Sequence, residues 1–270
     1  MIESTQAGAV ATLTLADCAP LSRHDIAFAL RLRDAVRDTA DSDSVKAMVI
    51  RSARDDFCLS PTTADLDSAA RVRGSQRQAW HAAYCAPSGL YQNLAYCKKI
   101  VVTAVRGHCA GAGSMLVLCS DHTVCAEGSA FEAPFADYPE SSLVLAALTM
   151  RLNRAKSWML GGQAWTAQQA VHAGLVNRAV ASGDVDAIAQ AAAGAAARMP
   201  LDGVAMTKVL LEAFLDTQGV GQDFDMTGFY ADSLQAARGA VAASAANATN
   251  AANAANAAGT AGIAKAGSTA

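Results

Sequence analysis

A chain of 270 residues is long enough to bury one substantial core, and a composition of 52% hydrophobic and 17% charged residues is typical of a globular protein. The net charge of −3, with lysines and arginines scattered along the chain, predicts neither a nucleic-acid-binding face nor a polybasic membrane patch. No apolar run reaches the length of about 18 residues that a membrane helix needs, and no signal segment is recognisable, so we expect a cytoplasmic protein.

The first half of the chain alternates between strand-like and helix-like apolar patterns. Segment 9–15 alternates as a half-exposed strand does, whereas 45–51 is typical of a buried strand. This order predicts an α/β fold with parallel strands joined by right-handed crossovers. The predicted strands are 9–15, 45–51, 100–106 and 122–126, and the predicted helices are 22–37 and about 78–97.

The most informative segment is KIVVTAVRGHCAGAGSMLVLCSD, from Lys99 to Asp121. Its β-branched run ends at Gly107, and helical spacing begins after Gly111 and Gly113, which predicts a buried strand, a tight turn and a helix. The first turn of that helix is nearly bare backbone, so its N–H groups are suited to hold a carbonyl oxygen or a developing oxyanion. Glycine-rich turns of this kind also occur for packing alone, and the spacing matches neither a dinucleotide fingerprint nor a phosphate loop.

Seven cysteines occur without a C-x-x-C pair, which predicts buried free thiols. Cys109, beside the glycine-rich turn, is a candidate nucleophile, but no neighbouring pattern supplies a base. His108 lies just before the turn and is a candidate for titration near neutral pH or for packing against the backbone.

The second half of the chain is predicted to be helical from residue 143. Breaks are predicted at Gly161 and Gly162, at a short strand over 175–180, and at Pro200. Beyond Gly239 the chain consists almost wholly of small and polar residues, so we expect a disordered tail from about residue 245, without a chemical role.

Four motifs in this order, over about residues 9–239, resemble the crotonase family, which includes enoyl-CoA hydratases and isomerases. They are ATLTL, KAMVIRS leading to Phe57 and Cys58, the glycine-rich block VVTAVRGHCAGAGSMLVLCSD, and AWTAQQAVHAGLVNRAV. The resemblance implies a crotonase-like spiral of ββα turns over residues 1–185, a helical trimerisation region over 186–244, and the tail over 245–270. It also implies an acyl-CoA thioester as ligand, no metal, no cofactor beyond the coenzyme A of the substrate, and a homotrimer or a dimer of trimers.

In this family two backbone N–H groups hold the thioester carbonyl. The resemblance assigns the second donor to Ala112, flanked by the substrate-binding residues Gly111 and Gly113. For the first donor, counting from Phe57 reaches Pro61, which has no N–H, whereas anchoring on Ala64-Asp65-Leu66 makes Ala64 the donor and adds three residues to the loop. We favour Ala64, because loops absorb insertions easily. Asp65 and Leu66 are then expected beside the substrate.

The two glutamates that hydratases of this family use as acid and base are absent. The resemblance places Met115 and Phe135 at their positions, and neither side chain transfers a proton. Asp137 and Glu140 follow in the next loop, either as a substitute acid and base or as solvated charges. The sequence therefore argues against ordinary hydration. It leaves an acyl-CoA isomerase, decarboxylase or slow lyase, a non-catalytic acyl-CoA binder or sensor, or a structural subunit.

Overall fold

The computed structural model describes residues 2–16, 26–59, 89–134, 143–226 and residue 244. The strands in these ranges are β1 (Ile2–Ala7), β2 (Val10–Leu15), β3 (Ala47–Ser52), β4 (Ile100–Val105), β5 (His108–Cys109), β6 (His122–Ala126), β7 (Ala130–Phe131), β8 (Trp165–Thr166) and β9 (Arg178–Val180). The helices are α1 (Ile26–Asp41), α2 (Leu90–Ala95), α3 (Ala112–Leu118), α4 (Leu143–Thr149), α5 (Leu152–Gly161), α6 (Ala167–Ala173), α7 (Val185–Ala197) and α8 (Leu201–Thr217), with a 3₁₀ turn at Ser182–Asp184 before α7.

The larger sheet has the strand order β1-β2-β3-β4-β6-β9. Every neighbouring pair from β2 to β9 is parallel, which confirms the prediction of parallel strands in an α/β fold. Within this sheet only β1, which the sequence did not predict, is antiparallel to its neighbour. A second sheet of three short strands, β5-β7-β8, lies beside the glycine-rich turn.

Strand β2 is buried on both faces, so the expectation of a half-exposed strand is wrong. The reason lies in what covers its polar side chains. Thr12 Oγ1 accepts a hydrogen bond of 2.7 Å from Gln190 Nε2 on α7, and Thr14 Oγ1 accepts one of 3.1 Å from Arg51 Nε on the neighbouring strand. Threonines satisfied in this way occupy interior positions of a parallel sheet.

Several predicted boundaries shift. The helix expected to reach residue 97 ends at Ala95, and the strand expected over 175–180 includes only Arg178–Val180. The predicted breaks are confirmed, because α5 ends at Gly161 with Gly162 in the left-handed conformation, and Pro200 precedes the first residue of α8.

Helix α7 packs across the main sheet. Its buried face consists of small residues, so the helix approaches closely the valines of the strands below it. The shared core includes Val185, Ala189 and Ala193 from the helix and Val49, Val102 and Val124 from the sheet. The described residues up to 226 belong to one compact unit of the chain. The domain boundaries expected after residues 185 and 244 stay predictions.

Among the described residues, the cysteines at 58, 97, 109, 119 and 125 are buried free thiols, as predicted. No group of side chains suited to hold a metal ion occurs in these ranges. No helix that the structure describes combines the length and the apolar character needed to cross a membrane.

Candidate functional site

The segment Phe57-Cys58 runs parallel to β5 and leads into the glycine-rich turn. The Cys58 N–H donates to His108 O at 2.9 Å, and the Ala110 N–H donates to Cys58 O at 3.0 Å. Cys58 and Cys109 pair as an isolated parallel bridge. The loop that begins after Cys58 therefore starts beside the glycine-rich turn, where the resemblance places the two donors.

Gly111 changes the direction of the chain at the start of α3. Its φ of 51° and ψ of −118° lie in a region that favours glycine, and a Cβ atom there would meet nothing within 4 Å. Two N–H groups that follow in the helix are bonded, from Gly113 to Ala110 O at 2.9 Å and from Met115 to Gly111 O at 3.2 Å. The Ala112 N–H has no acceptor among the described residues, although Ala112 itself is fully buried. It is a hydrogen-bond donor at the position that the resemblance assigns to the thioester oxygen.

Gly113 has a packing role. A Cβ atom at this position would lie 2.5 Å from Cys58 Cβ and 3.2 Å from Phe57 Cδ1. Helix α3 therefore approaches the Phe57-Cys58 segment closely only because residue 113 has no side chain. The contact of Gly113 with substrate stays a prediction.

Ser114, which the sequence analysis did not single out, joins three segments of the site. Its fully buried Oγ lies 2.6 Å from Glu132 O and 3.1 Å from Cys109 O, both acceptors. The Glu132 N–H in turn donates to Cys109 O at 2.9 Å. The hydroxyl thus links α3 to the chain that leads toward Phe135. A serine within the apolar run SMLVL was the available signal.

Met115 and Cys109 line the interior side of this turn. Met115 is fully buried, one helical turn after Ala112, so an apolar thioether stands where the family's first glutamate is expected. Cys109 is also fully buried, and desolvation, followed by the nearby Cys58, raises the pKa of its thiol well above the usual range. A thiol that stays protonated is a poor nucleophile, which argues against that role for Cys109.

His108 lies at the outer edge of β5. Its side chain is 55% exposed, with Nδ1 3.9 Å from Glu132 Oε1. Its backbone N–H donates to Asp56 Oδ1 at 2.8 Å. The imidazole is therefore at the surface next to a carboxylate and is not packed in the interior.

The structure brings Gly111, Ala112, Gly113 and Met115 together in one turn, as the sequence predicts. The other predicted site residues lie outside the described ranges, and their roles stay predictions. They are Ala64, Asp65, Leu66, Phe135, Asp137 and Glu140, together with the alternative donor position Pro61.

Solved structures of similar fold cover most of this chain. An enoyl-CoA hydratase/isomerase from Xanthobacter autotrophicus Py2 has a TM-score of 0.71 at 24% identity, over 85% of this chain and 85% of that chain. An enoyl-CoA hydratase/isomerase from Mycobacterium paratuberculosis has a TM-score of 0.70 at 24% identity, over 84% and 92%. An enoyl-CoA hydratase from Polaromonas sp. JS666 has a TM-score of 0.66 at 23% identity, over 83% and 90%. These similarities show the crotonase fold.

Among proteins with curated descriptions, none matches the chain. The sequence model of the enoyl-CoA hydratase/isomerase family matches residues 5–240, which is most of the chain and includes every element of the site. The chain therefore belongs to the enoyl-CoA hydratase/isomerase family, the crotonases.

Proposed function

We propose that this protein binds acyl-CoA thioesters and polarises the thioester carbonyl with two backbone N–H groups, without the two glutamates of a hydratase. The observation that carries the proposal is the buried Ala112 N–H, which has no acceptor among the described residues. Family membership supports the ligand class, since a crotonase fold built around this turn is associated with acyl-CoA substrates.

The proposed chemistry is stabilisation of negative charge on the thioester oxygen. When a proton or carbon dioxide leaves the α-carbon, the electron pair moves to that oxygen, and the resulting enolate accepts hydrogen bonds from Ala112 and, in this proposal, Ala64. Loss of one donor of this kind costs roughly a hundredfold to a thousandfold in rate.

Hydration also needs a base for water and an acid for the α-carbon, each worth about a hundredfold to ten-thousandfold. Met115 is buried and apolar at the first of these positions, and Phe135 is the counterpart at the second. We therefore propose an isomerisation, decarboxylation or slow lyase step, with Asp137 or Glu140 as the proton carrier.

A second candidate is a non-catalytic acyl-CoA binder or sensor. The complete burial of Met115 favours it, because an apolar residue beside the carbonyl site suits holding an acyl chain better than moving a proton. Coenzyme A enters both candidates as part of the ligand, so neither needs a separate cofactor. The proposal also includes a cytoplasmic location and assembly into a homotrimer or a dimer of trimers.

The first experiment asks whether the carbonyl oxygen is recognised. Crotonyl-CoA is compared with the thioether analogue that lacks only that oxygen, by isothermal titration calorimetry and by the shift in melting temperature. We expect the thioester to bind at least about tenfold tighter, the effect of one good hydrogen bond in a buried site. Equal affinity for the two ligands contradicts the proposed recognition.

The second experiment removes the donor itself with Ala112→Pro. Proline is tolerated at the first position of a helix, which Ala112 occupies, but it has no N–H. The matched variant Ala112→Gly keeps the N–H. We expect Ala112→Pro to lose the preference for thioester over thioether and Ala112→Gly to keep it. The unliganded melting temperatures serve as the control for folding.

Turnover separates the two candidate functions. A panel of acyl-CoAs is assayed for double-bond shift, for loss of carbon dioxide and for hydration, with Asp137→Ala and Glu140→Ala as variants. Turnover that falls in one variant supports catalysis with that carboxyl group, whereas tight binding without turnover supports the sensor. Efficient hydration of crotonyl-CoA contradicts the argument from Met115 and Phe135.

A further inference from the structure

An open groove lies between α5 and α6, formed by elements that contribute no residue to the proposed thioester site. It encloses about 480 Å³. Arg154 and Ser157, three residues apart on α5, form one wall, and Gln168 and His172, four residues apart on α6, form the other, with Trp165 between them. A volume of this size lies within the range of about 300–1,000 Å³ that is typical of small-molecule sites.

The segment that forms the groove carries no acidic residue. Residues 143–183 include no aspartate or glutamate, although the whole chain has a net charge of −3. The same segment contains three arginines and one lysine, at 151, 154, 178 and 156. None of the described residues that line the groove is a carboxylate. A ligand in this groove therefore meets the Arg154 guanidinium without a competing carboxylate from those residues.

Three side chains of the lining have N–H groups without a partner among the described residues. The Arg154 guanidinium and the Trp165 indole N–H have no side-chain partner within the described ranges. Gln169 Oε1 accepts from the Thr166 N–H at 2.9 Å as part of the helix cap, which leaves the Gln169 amide NH₂ as a donor. An arginine with free N–H groups recognises phosphate and carboxylate in a two-point geometry.

Trp165 is held firmly at this place. Its ring lies 5.8 Å from that of Trp158, centroid to centroid, with an interplanar angle of 33°. Trp158 is fully buried and donates from Nε1 to Phe131 O at 3.0 Å, and Trp165 itself pairs with Phe131 across β7 and β8. Trp165 is only half-buried, so a fixed aromatic surface borders the groove.

We propose that this groove binds a phosphorylated ligand with an aromatic ring, of the size of a mononucleotide. The phosphate contacts Arg154 and the ring packs on Trp165. A fixed indole and a guanidinium without a partner among the described residues, in a groove whose described lining contains no carboxylate, favour that combination over a purely apolar or cationic ligand. The site is independent of the thioester site, since none of its residues belongs to the turn at Ala112.

The test uses AMP as the probe and the full-length protein. Binding is measured by isothermal titration calorimetry and by quenching of tryptophan fluorescence, with inorganic phosphate and adenosine as the two part-ligands. We expect AMP to bind at least about tenfold tighter than either part-ligand. AMP makes both the phosphate contact and the ring contact, whereas each part-ligand makes only one of them. AMP that binds no tighter than phosphate overturns the proposal.

Variants locate the site. We expect Arg154→Ala to weaken AMP binding by about tenfold or more, the effect of losing a charge-assisted contact. Lys156→Ala is the matched control, because it removes an exposed cation from the same helix that does not line the groove, and it should bind AMP as the wild type does. Trp165→Leu should reduce affinity for AMP while leaving that for phosphate unchanged.

Competition distinguishes this site from the thioester site. Saturating crotonyl-CoA should leave AMP bound, and Arg154→Ala should leave crotonyl-CoA binding unchanged. If coenzyme A displaces AMP and Arg154→Ala does not change the affinity for AMP, then AMP occupies the nucleotide end of the thioester site. In that case the proposal fails. If crotonyl-CoA does not bind at all, the proposed thioester function fails. The effect of Arg154→Ala on AMP binding still tests the groove by itself.

Discussion

Gly113 determines how closely α3 approaches the Phe57-Cys58 segment. A methyl group at this residue would lie 2.5 Å from Cys58 Cβ, a separation that neither side can accept without moving backbone. We expect Gly113→Ala to lower the free energy of unfolding by about 1–3 kcal/mol, the usual range for overpacking a tight core. Because the same movement shifts Ala112, thioester binding should weaken as well.

Gly194 provides the matched control. It lies in α7, and a Cβ there would meet nothing within 4 Å. Gly194→Ala should raise the free energy of unfolding by about 0.5–1 kcal/mol, because alanine loses less backbone entropy in a helix. Urea unfolding of both variants measures these effects. A Gly113→Ala variant as stable as Gly194→Ala would contradict the tight contact at Cys58.

At the level of single residues, the sequence predicted the position of the turn better than the reason for each glycine. Gly111 has the positive φ of 51° and open space that a bare turn implies. Gly113 is required by Cys58, which precedes it by 55 positions, and no local pattern reveals such a contact. The link from Ser114 to Glu132 O was missed for the same reason, because a serine in an apolar helix does not indicate its distant acceptor.

At the level of elements, α8 is attached to the rest of the fold by polar contacts, one of which involves a buried lysine. Lys208, only 8% exposed, forms an ion pair and hydrogen bond with Asp121 Oδ1. Asp121 Oδ2 also accepts from the Val101 N–H at 2.8 Å, at the start of β4.

Tyr96 donates to Asp216 Oδ1 at 2.7 Å near the other end of helix α8. Desolvation by burial, and then the bond to Asp216, raise the pKa of the Tyr96 phenol, so it stays a donor at neutral pH.

Lys208→Ala should lower the free energy of unfolding by about 1–3 kcal/mol. The expected cost is below that of a fully buried pair, because the Asp121 side chain is 26% exposed and water compensates part of its charge. Lys208→Met keeps the apolar stem of the side chain. The difference in free energy of unfolding between Lys208→Met and Lys208→Ala therefore measures packing, and the difference between Lys208→Met and the wild type measures the charge contact. Lys98→Ala, at an exposed lysine close to the same region, should be neutral within about 0.5 kcal/mol in urea unfolding. Equal effects of Lys98→Ala and Lys208→Ala would show that the contact between Lys208 and Asp121 contributes nothing to stability.

The elements that could be predicted from the sequence are those with a long apolar pattern. Strands β3, β4 and β6 and helices α1 and α7 each carry such a pattern, and each of them is present in the structure where the pattern predicts it. Strand β1 was missed because IESTQA has almost no buried residue, and β5, β7 and β8 were missed because two residues are too few to show a period. The second sheet follows from long-range pairing with the glycine-rich block, which periodicity does not report.

At the level of the whole molecule, the outer face of α8 is the most apolar exposed surface that the structure describes. Met206, Leu210 and Phe214 repeat every four residues, so they form one stripe along the helix. Their exposed fractions are 62%, 66% and 51%. Contiguous exposed patches of this kind are uncommon on monomers and typically indicate an interaction surface. The stripe therefore supports the proposed homotrimer or dimer of trimers, with α8 of one copy covered by another copy.

Leu210→Glu tests this assembly. A carboxylate in the middle of the stripe would be buried without a partner in the oligomer, so association should weaken and the molar mass measured by light scattering should fall toward that of a 27.6 kDa monomer at micromolar concentration. Leu160→Glu is the control, since Leu160 is 82% exposed near the end of a different helix, α5, and the molar mass of this variant should equal that of the wild type. A wild type that is monomeric, or a Leu210→Glu variant that keeps the wild-type mass, would remove α8 as the subunit contact.

Because the thioester site proposed here is built within one chain, a dissociated Leu210→Glu variant should still prefer crotonyl-CoA over its thioether analogue. A loss of that preference on dissociation would instead mean that a neighbouring copy completes the pocket.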